Sequence, residues 1–129
     1  MRKGAGLWVV DRKHLLLLMK SDGRFSIPGG KVESDEYPIV AGIREVFEET
    51  GVVSYVPHED KCFFTEATDE LHGTNFYCWE AQVASSDYKR IPPEGTPVWV
   101  SLDNVRKMPA TDWIYPNWMA NAIRFFDDS

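Results

Sequence analysis

The chain has 129 residues, 43% of them hydrophobic, which suits one compact domain with a single core and leaves little for a second. Its formal charge of −6 argues against a general nucleic-acid surface or an anionic-membrane surface, because either partner demands a clustered positive field. The apolar run after Leu7 is broken by Asp11, Arg12 and Lys13, so neither a signal peptide nor a membrane span is expected, and a cytoplasmic setting follows.

Gly6 to Val10 and His14 to Met19 are apolar runs either side of the charged turn Asp11-Arg12-Lys13, the pattern of two paired strands. Ser21-Asp22-Gly23 reads as a turn and Arg24 to Ile27 as a short extended piece, stopped by a loop that begins at Pro28-Gly29-Gly30. Between Pro38 and Thr50, Ile39, Val40, Ile43, Val46 and Phe47 recur at helical spacing. Pro38 suits the first turn of that helix and Gly51 the position after its last. Strands are predicted at Gly51 to Val56, Cys62 to Ala67, Asn75 to Val83 and Pro97 to Val100, with Asn75 to Val83 the most central. Trp113 to Phe126 predicts a second helix, with Trp118, Ala122 and Phe125 on one side and Pro116 near its start. Many strands, few helices and no repeat or linker give an α/β fold with a mixed sheet flanked by helices.

Several residues carry no chemistry on this reading. Cys62 and Cys78 lack metal spacing and are expected as reduced, buried thiols. His14, His58 and His72 are isolated, and Gly4-Ala5-Gly6 is too short for a dinucleotide fingerprint. Asp127-Asp128 reads as an acidic end.

The predicted helix 38–50 is different. At about 100° per residue from Arg44, Glu48 falls near roughly 40°, Glu45 near 100° and Glu49 near 140°, while the apolar residues occupy about 200° to 320°. Three carboxylates so close repel one another unless protons, an arginine or multivalent cations share the site. Oxygen-only donors favour hard ions such as Mg²⁺, Mn²⁺ or Ca²⁺. Taken alone, such a face reads as a solvated surface with an ordinary Arg44–Glu48 ion pair.

Its context changes that. The stretch from Gly29 to Val52, GGKVESDEYPIVAGIREVFEETGV, resembles the Nudix box at every specified position: Gly30, Glu36, Arg44-Glu45, aliphatic Val46, Glu48-Glu49, Gly51 and aliphatic Val52. Seven required identities at about 5–7% each leave coincidence at roughly 10⁻⁸ to 10⁻⁹ per starting point. The resemblance implies one Nudix domain over 1–129, an α/β/α sandwich around a mixed sheet, with Mg²⁺ or Mn²⁺ as cofactor. It implies metal contacts by Gly29, Glu45, Glu48 and Glu49, with Gly30, Glu36 and Arg44 supporting them. The family differs in which glutamate is the general base, so Glu45, Glu48 and a loop glutamate are eligible, and Glu94 is the loop candidate.

The resemblance to MutT-like members extends, more thinly, to substrate contacts: Lys20 against the phosphates, and Thr111, Asp112 and Asn117 near the base. The implied reaction is hydrolysis of a phosphoanhydride bond in a nucleoside diphosphate-X substrate. A nucleoside triphosphate, ordinary or oxidised, giving the monophosphate and pyrophosphate leads. ADP-ribose or a dinucleoside polyphosphate is the alternative, although 66–70 carries neither the Pro nor the Tyr often found in those groups. A non-catalytic nucleotide-sensing module is the reading from another class, disfavoured because Glu45, Glu48 and Glu49 are all present. The expected partner is a small-molecule nucleotide, with the protein a monomer or homodimer.

Overall fold

The computed structural model describes residues 2–86 and 95–127. The strands are β1 (Arg2–Asp11), β2 (His14–Met19), β3 (Phe25–Ser26), β4 (Gly29–Lys31), β5 (Val52–Tyr55), β6 (Cys62–Thr65), β7 (Thr74–Ser86) and β8 (Thr96–Ser101). The helices are α1 (Pro38–Thr50), α2 (Leu102–Lys107) and α3 (Pro116–Asp127), with one 3₁₀ turn at Ala110–Asp112.

The eight strands form one mixed sheet with the path β3-β2-β1-β7-β5, and β7 is as central as its composition predicts. One edge of β7 runs parallel to β1 from Arg2↔Thr74 to Val9↔Ala81; its other edge pairs antiparallel with β6 and β5. β1 is longer than the predicted Gly6 to Val10. Its first half is shielded by β7 on one side and by β4 on the other, through Gly4↔Lys31, Ala5↔Gly30 and Gly6↔Gly29. The glycines expected to open a loop are therefore strand residues. Arg12 and Lys13 form the two-residue hairpin loop with φ of 50° and 62°, the left-handed pair that such turns demand.

Both faces of the sheet are covered, which is why β2 reads as the unbroken run Leu15 to Leu18 rather than as an alternation. Trp8, Leu15 and Leu17 join the core shared with α2 and α3. Leu7, Val9 and Leu16 join the one beneath α1. The same alternation separates the cysteines. Cys62 lies opposite Trp79 and Phe63 opposite Cys78, so the two thiols point to opposite faces. Both are free, and burial pushes each thiol up.

The helix predictions differ from the structure in three respects. Trp113 is not helical. It bridges Phe25 in parallel, and the helix begins only at Pro116. α2, capped by the Ser101 hydroxyl accepting from the Asn104 N–H at 3.2 Å, was not anticipated. In α1 the apolar face is also rotated from the predicted one. Val40 and Phe47 are 49% and 36% exposed, whereas Ala41, Gly42, Val46 and Thr50 are buried. Ala41 and Gly42 lie on the same side of the wheel as the glutamates, and a Cβ on Gly42 would meet Leu7 at 3.1 Å. Small residues thus let the carboxylate side of α1 press close to β1.

Candidate active site

α1 is bounded by backbone signals rather than by a side-chain cap. Tyr37 gives no side-chain cap, Pro38 supplies the fixed first turn, and Gly51 at φ 77° closes it with its N–H donating to the Phe47 carbonyl at 2.9 Å. With the glutamate side drawn against β1 and β4, the carboxylates meet the Gly29-Gly30 backbone. The Gly29 N–H donates to Glu49 Oε1 at 2.8 Å. At Gly30 a Cβ would lie 2.5 Å from the Glu45 carboxyl, so only glycine leaves that space.

Arg44 organises the rest. Its Nε and Nη2 donate to both Glu36 carboxylate oxygens at 2.7 and 3.0 Å, a bidentate pair. Nη1 donates to Glu45 at 2.9 Å and to Glu48 at 3.2 and 3.3 Å, and Nη2 also reaches the Lys31 carbonyl at 3.0 Å. One guanidinium therefore ties three carboxylates to β4. Its hydrogen bond holds Glu36 below the ordinary carboxylate value, and Arg44 itself is held more firmly protonated, chiefly by Glu36. Glu45 moves the other way. Burial raises it, and this outweighs the opposing contact with Arg44.

The donor chemistry suits a hard divalent cation: carboxylate oxygens only, beside a cradle that a Cβ at Gly30 would fill. Among the described residues no three His, Cys, Asp or Glu side chains are already gathered as a metal shell. Arg44 draws Glu45 and Glu48, and the Gly29 amide holds Glu49. Loading an ion would require Glu45 and Glu48 to exchange the guanidinium for it, while Glu36 keeps Arg44 through two bonds.

A cavity of about 300 Å³ adjoins the box, with Gly29, Gly30 and Glu49 in its wall. Arg2, Lys3, Lys20 and Lys31 also line it, a local positive set on a chain of net charge −6. The rest of its wall is mainly apolar, with Phe25, Phe76, Trp113, Tyr115 and Trp118 prominent and Ser26 and Thr74 among them. The structure thus brings Glu36, Arg44, Glu45, Glu48, Glu49, Gly29 and Gly30 together and puts Lys20 in the same cavity. Thr111, Asp112 and Asn117 are not in that wall. The bridge from Phe25 to Trp113 turns the neighbouring side chains inward instead, and Thr111 and Asn117 are exposed. Glu94 lies outside the described residues.

Sequence reasoning missed Arg2 and Lys3, which reach the cavity only because β1 pairs with β4 at Gly4↔Lys31. It also missed Glu70, whose carboxylate accepts from the Asn117 and Trp118 N–H groups at 2.9 and 2.8 Å across the fold. No local signal announces either contact.

A sequence model of the NUDIX domain matches residues 1–122. The chain belongs to the Nudix family. An RNA pyrophosphohydrolase from Bartonella tribocorum is 27% identical over 116 residues, covering 74% of this chain. The chain spans only 62% of that relative's length. A NUDIX hydrolase from Nitrosomonas europaea superposes with a TM-score of 0.82 at 21% identity, over 98% of this chain and 88% of the other. An Ap4A hydrolase from C. elegans gives 0.74 at 24% identity, over 98% and 96%. At these identities the structural likeness is one of fold, and it matches the α/β/α sandwich around a mixed sheet. Nudix hydrolases generally use divalent metals. No helix among the described residues is long and apolar enough to cross a membrane.

Proposed function

We propose that this Nudix domain is a Mg²⁺- or Mn²⁺-dependent pyrophosphohydrolase whose substrate is a nucleoside triphosphate, releasing the monophosphate and pyrophosphate. The observation that carries this reading is the junction of the carboxylate cluster with a cavity of about 300 Å³ that is apolar inside and bears four cationic side chains. That volume stands at the lower end of small-molecule sites and suits one nucleoside rather than two. The nucleobase packs among the aromatic side chains, and the phosphates run past Lys20 and Lys31 toward Glu45, Glu48 and Glu49.

A divalent cation supplies, when bound, charge neutralisation at the phosphates and a more acidic water. This chain's residues do the remainder. Glu45, Glu48, Glu49 and the Gly29 carbonyl would hold the ion, and Arg44 with Glu36 keeps their helix in register with β4. The proton acceptor is Glu45, Glu48 or Glu94. Arg2, Lys3, Lys20 and Lys31 attract the polyphosphate.

The test is turnover of a panel with Mg²⁺ and with Mn²⁺: nucleoside triphosphates, oxidised purine triphosphates, ADP-ribose, dinucleoside polyphosphates and a 5′-triphosphorylated RNA oligonucleotide, the last prompted by the Bartonella relative's name. The expected best substrate is a free nucleoside triphosphate, and Glu48→Gln abolishes its hydrolysis. Preferred turnover of the RNA or of a dinucleotide would replace the substrate assignment. Unchanged turnover by Glu48→Gln would refute the catalytic reading. In ¹⁸O water, label in the monophosphate places attack at the α phosphorus, and label in pyrophosphate places it at the β.

A further inference from the structure

Gly4-Ala5-Gly6 leaves one face of β1 without side chains. Ala5, Leu7 and Val9 enter the core beneath α1 and Trp8 enters the opposite core, so by alternation Gly4 and Gly6 belong to the face of Trp8. That face carries the cavity, whose Ile27, Trp113, Trp118 and Met119 are members of the same core. The ring of Phe76 takes the space the glycines leave. A Cβ at Gly4 would meet its Cδ2 at 2.9 Å and its Cε2 at 3.3 Å, and a Cβ at Gly6 would meet its Cζ at 3.0 Å. On β4, a Cβ at Gly29 would lie 3.2 Å from the same Cζ. One ring therefore covers three glycines on two strands, and its tip stands beside the residue whose N–H holds Glu49.

Phe76 is also open to the cavity. Its backbone is paired on both edges, with Gly4 of β1 and Thr65 of β6, yet the residue is partly exposed, so that surface belongs to the side chain. Trp113 and Trp118 share the cavity wall but are only 4% and 5% exposed. Trp118 meets Phe76 at 82° with ring centroids 5.5 Å apart, which restrains the ring. An aromatic ring at the carboxylate end of the cavity meets whatever is joined to the reacting phosphates. In a nucleoside triphosphate that is the nucleoside, and its planar, least polar part is the base.

We infer that the nucleobase packs against Phe76 and that Gly4 is the positioning residue that keeps the ring low enough to admit it. This rests on the nucleotide assignment above and adds which aromatic side chain takes the base. Alanine at position 4 meets no backbone strain, since Gly4 is not among the positive-φ residues. The three atoms nearest its Cβ are side-chain atoms, two of Phe76 and the Thr74 Cγ2 at 3.1 Å. The new methyl group therefore presses on the ring. Gly6 is a poorer probe, because its Cβ would lie 2.7 Å from the Pro28 carbonyl oxygen.

The experiment compares wild type, Gly4→Ala, Phe76→Val and the double variant with Mg²⁺. The substrates are the best nucleoside triphosphate and ribose 5-triphosphate, which keeps the phosphates and lacks the base. Valine retains the strand preference and removes every ring atom that lies over Gly4. Loss of an aromatic contact predicts that Phe76→Val raises KM for the nucleotide about three- to ten-fold and for ribose 5-triphosphate by less than about twofold. Gly4→Ala raises KM with the same preference for the base-bearing substrate and adds nothing further in the Phe76→Val background. An equal penalty on both substrates, no penalty, or an undiminished Gly4→Ala effect without the ring overturns the inference. Should Phe76→Val fail to fold, Gly4→Ala decides alone: a penalty confined to the nucleotide supports the inference, and an equal or absent one overturns it. Wild type that neither turns over nor binds any nucleoside triphosphate refutes the nucleotide assignment itself, and this inference with it.

Discussion

Replacing Gly30 by alanine separates the geometry of the box from its stability. The new Cβ would lie 2.5 Å from the Glu45 carboxyl carbon and one of its oxygens, whereas ordinary contact begins at 3.4 Å, so the carboxylate must retreat by about 0.9 Å. Gly30 is not among the positive-φ residues, so alanine meets no backbone strain there. The obstructing atoms end a flexible side chain, so the cost in stability stays within about 1 kcal/mol. The retreat also breaks the 2.9 Å contact from Arg44 to Glu45. A displacement near 1 Å at reacting groups costs on the order of 100-fold in rate, about 2.7 kcal/mol of barrier. The assay is kcat on the best nucleotide with saturating Mg²⁺, alongside the thermal midpoint. Gly23→Ala is the control: it has φ +83° and open space around it, so it loses about 1 kcal/mol of stability with activity intact. Gly30→Ala turning over within threefold of wild type would show that this gap does not place Glu45.

Arg44→Met removes the charge shared by Glu36, Glu45 and Glu48 and is expected to destabilise the fold by about 1–3 kcal/mol in urea titrations, with Mg²⁺ restoring part of the loss. The Arg44 contact holds Glu36 below its ordinary 4.5, so this pair stabilises the fold above pH 4.5 and the contribution is lost as pH falls through the lower folded value. Melting curves from pH 5 to pH 3 should therefore fall less steeply for Glu36→Gln than for wild type, and parallel curves would exclude the linkage. Changing Arg12-Lys13 to Asn-Gly relieves two left-handed non-glycine residues and should raise stability by about 1 kcal/mol, measured by the denaturation midpoint. Cys62 and Cys78 face opposite sides of the sheet, so mild oxidation should leave no intramolecular disulfide on a non-reducing gel.

The sequence by itself determined α1 to the residue, Pro38–Thr50, because its bounds are local: a proline at the first turn and a glycine that alone accepts φ 77°. It determined which carboxylates cluster, since residues three and four apart share a helix face whatever surrounds them. It marked β7 as central, because Phe76-Tyr77-Cys78-Trp79 is an unbroken run of large apolar side chains. Tertiary structure decided what that helix face meets. Ala41 and Gly42 bring the glutamate side, along with Val46, against β1, and the pairing of β1 with β4 then sets Gly29 and Gly30 against Glu49 and Glu45. It also decided the far wall of the cavity. A Trp113 that looks helical is drawn into a bridge with Phe25, and Glu70 reaches an amide 48 residues away. Such contacts depend on the packing of distant segments, and no period in the chain encodes them.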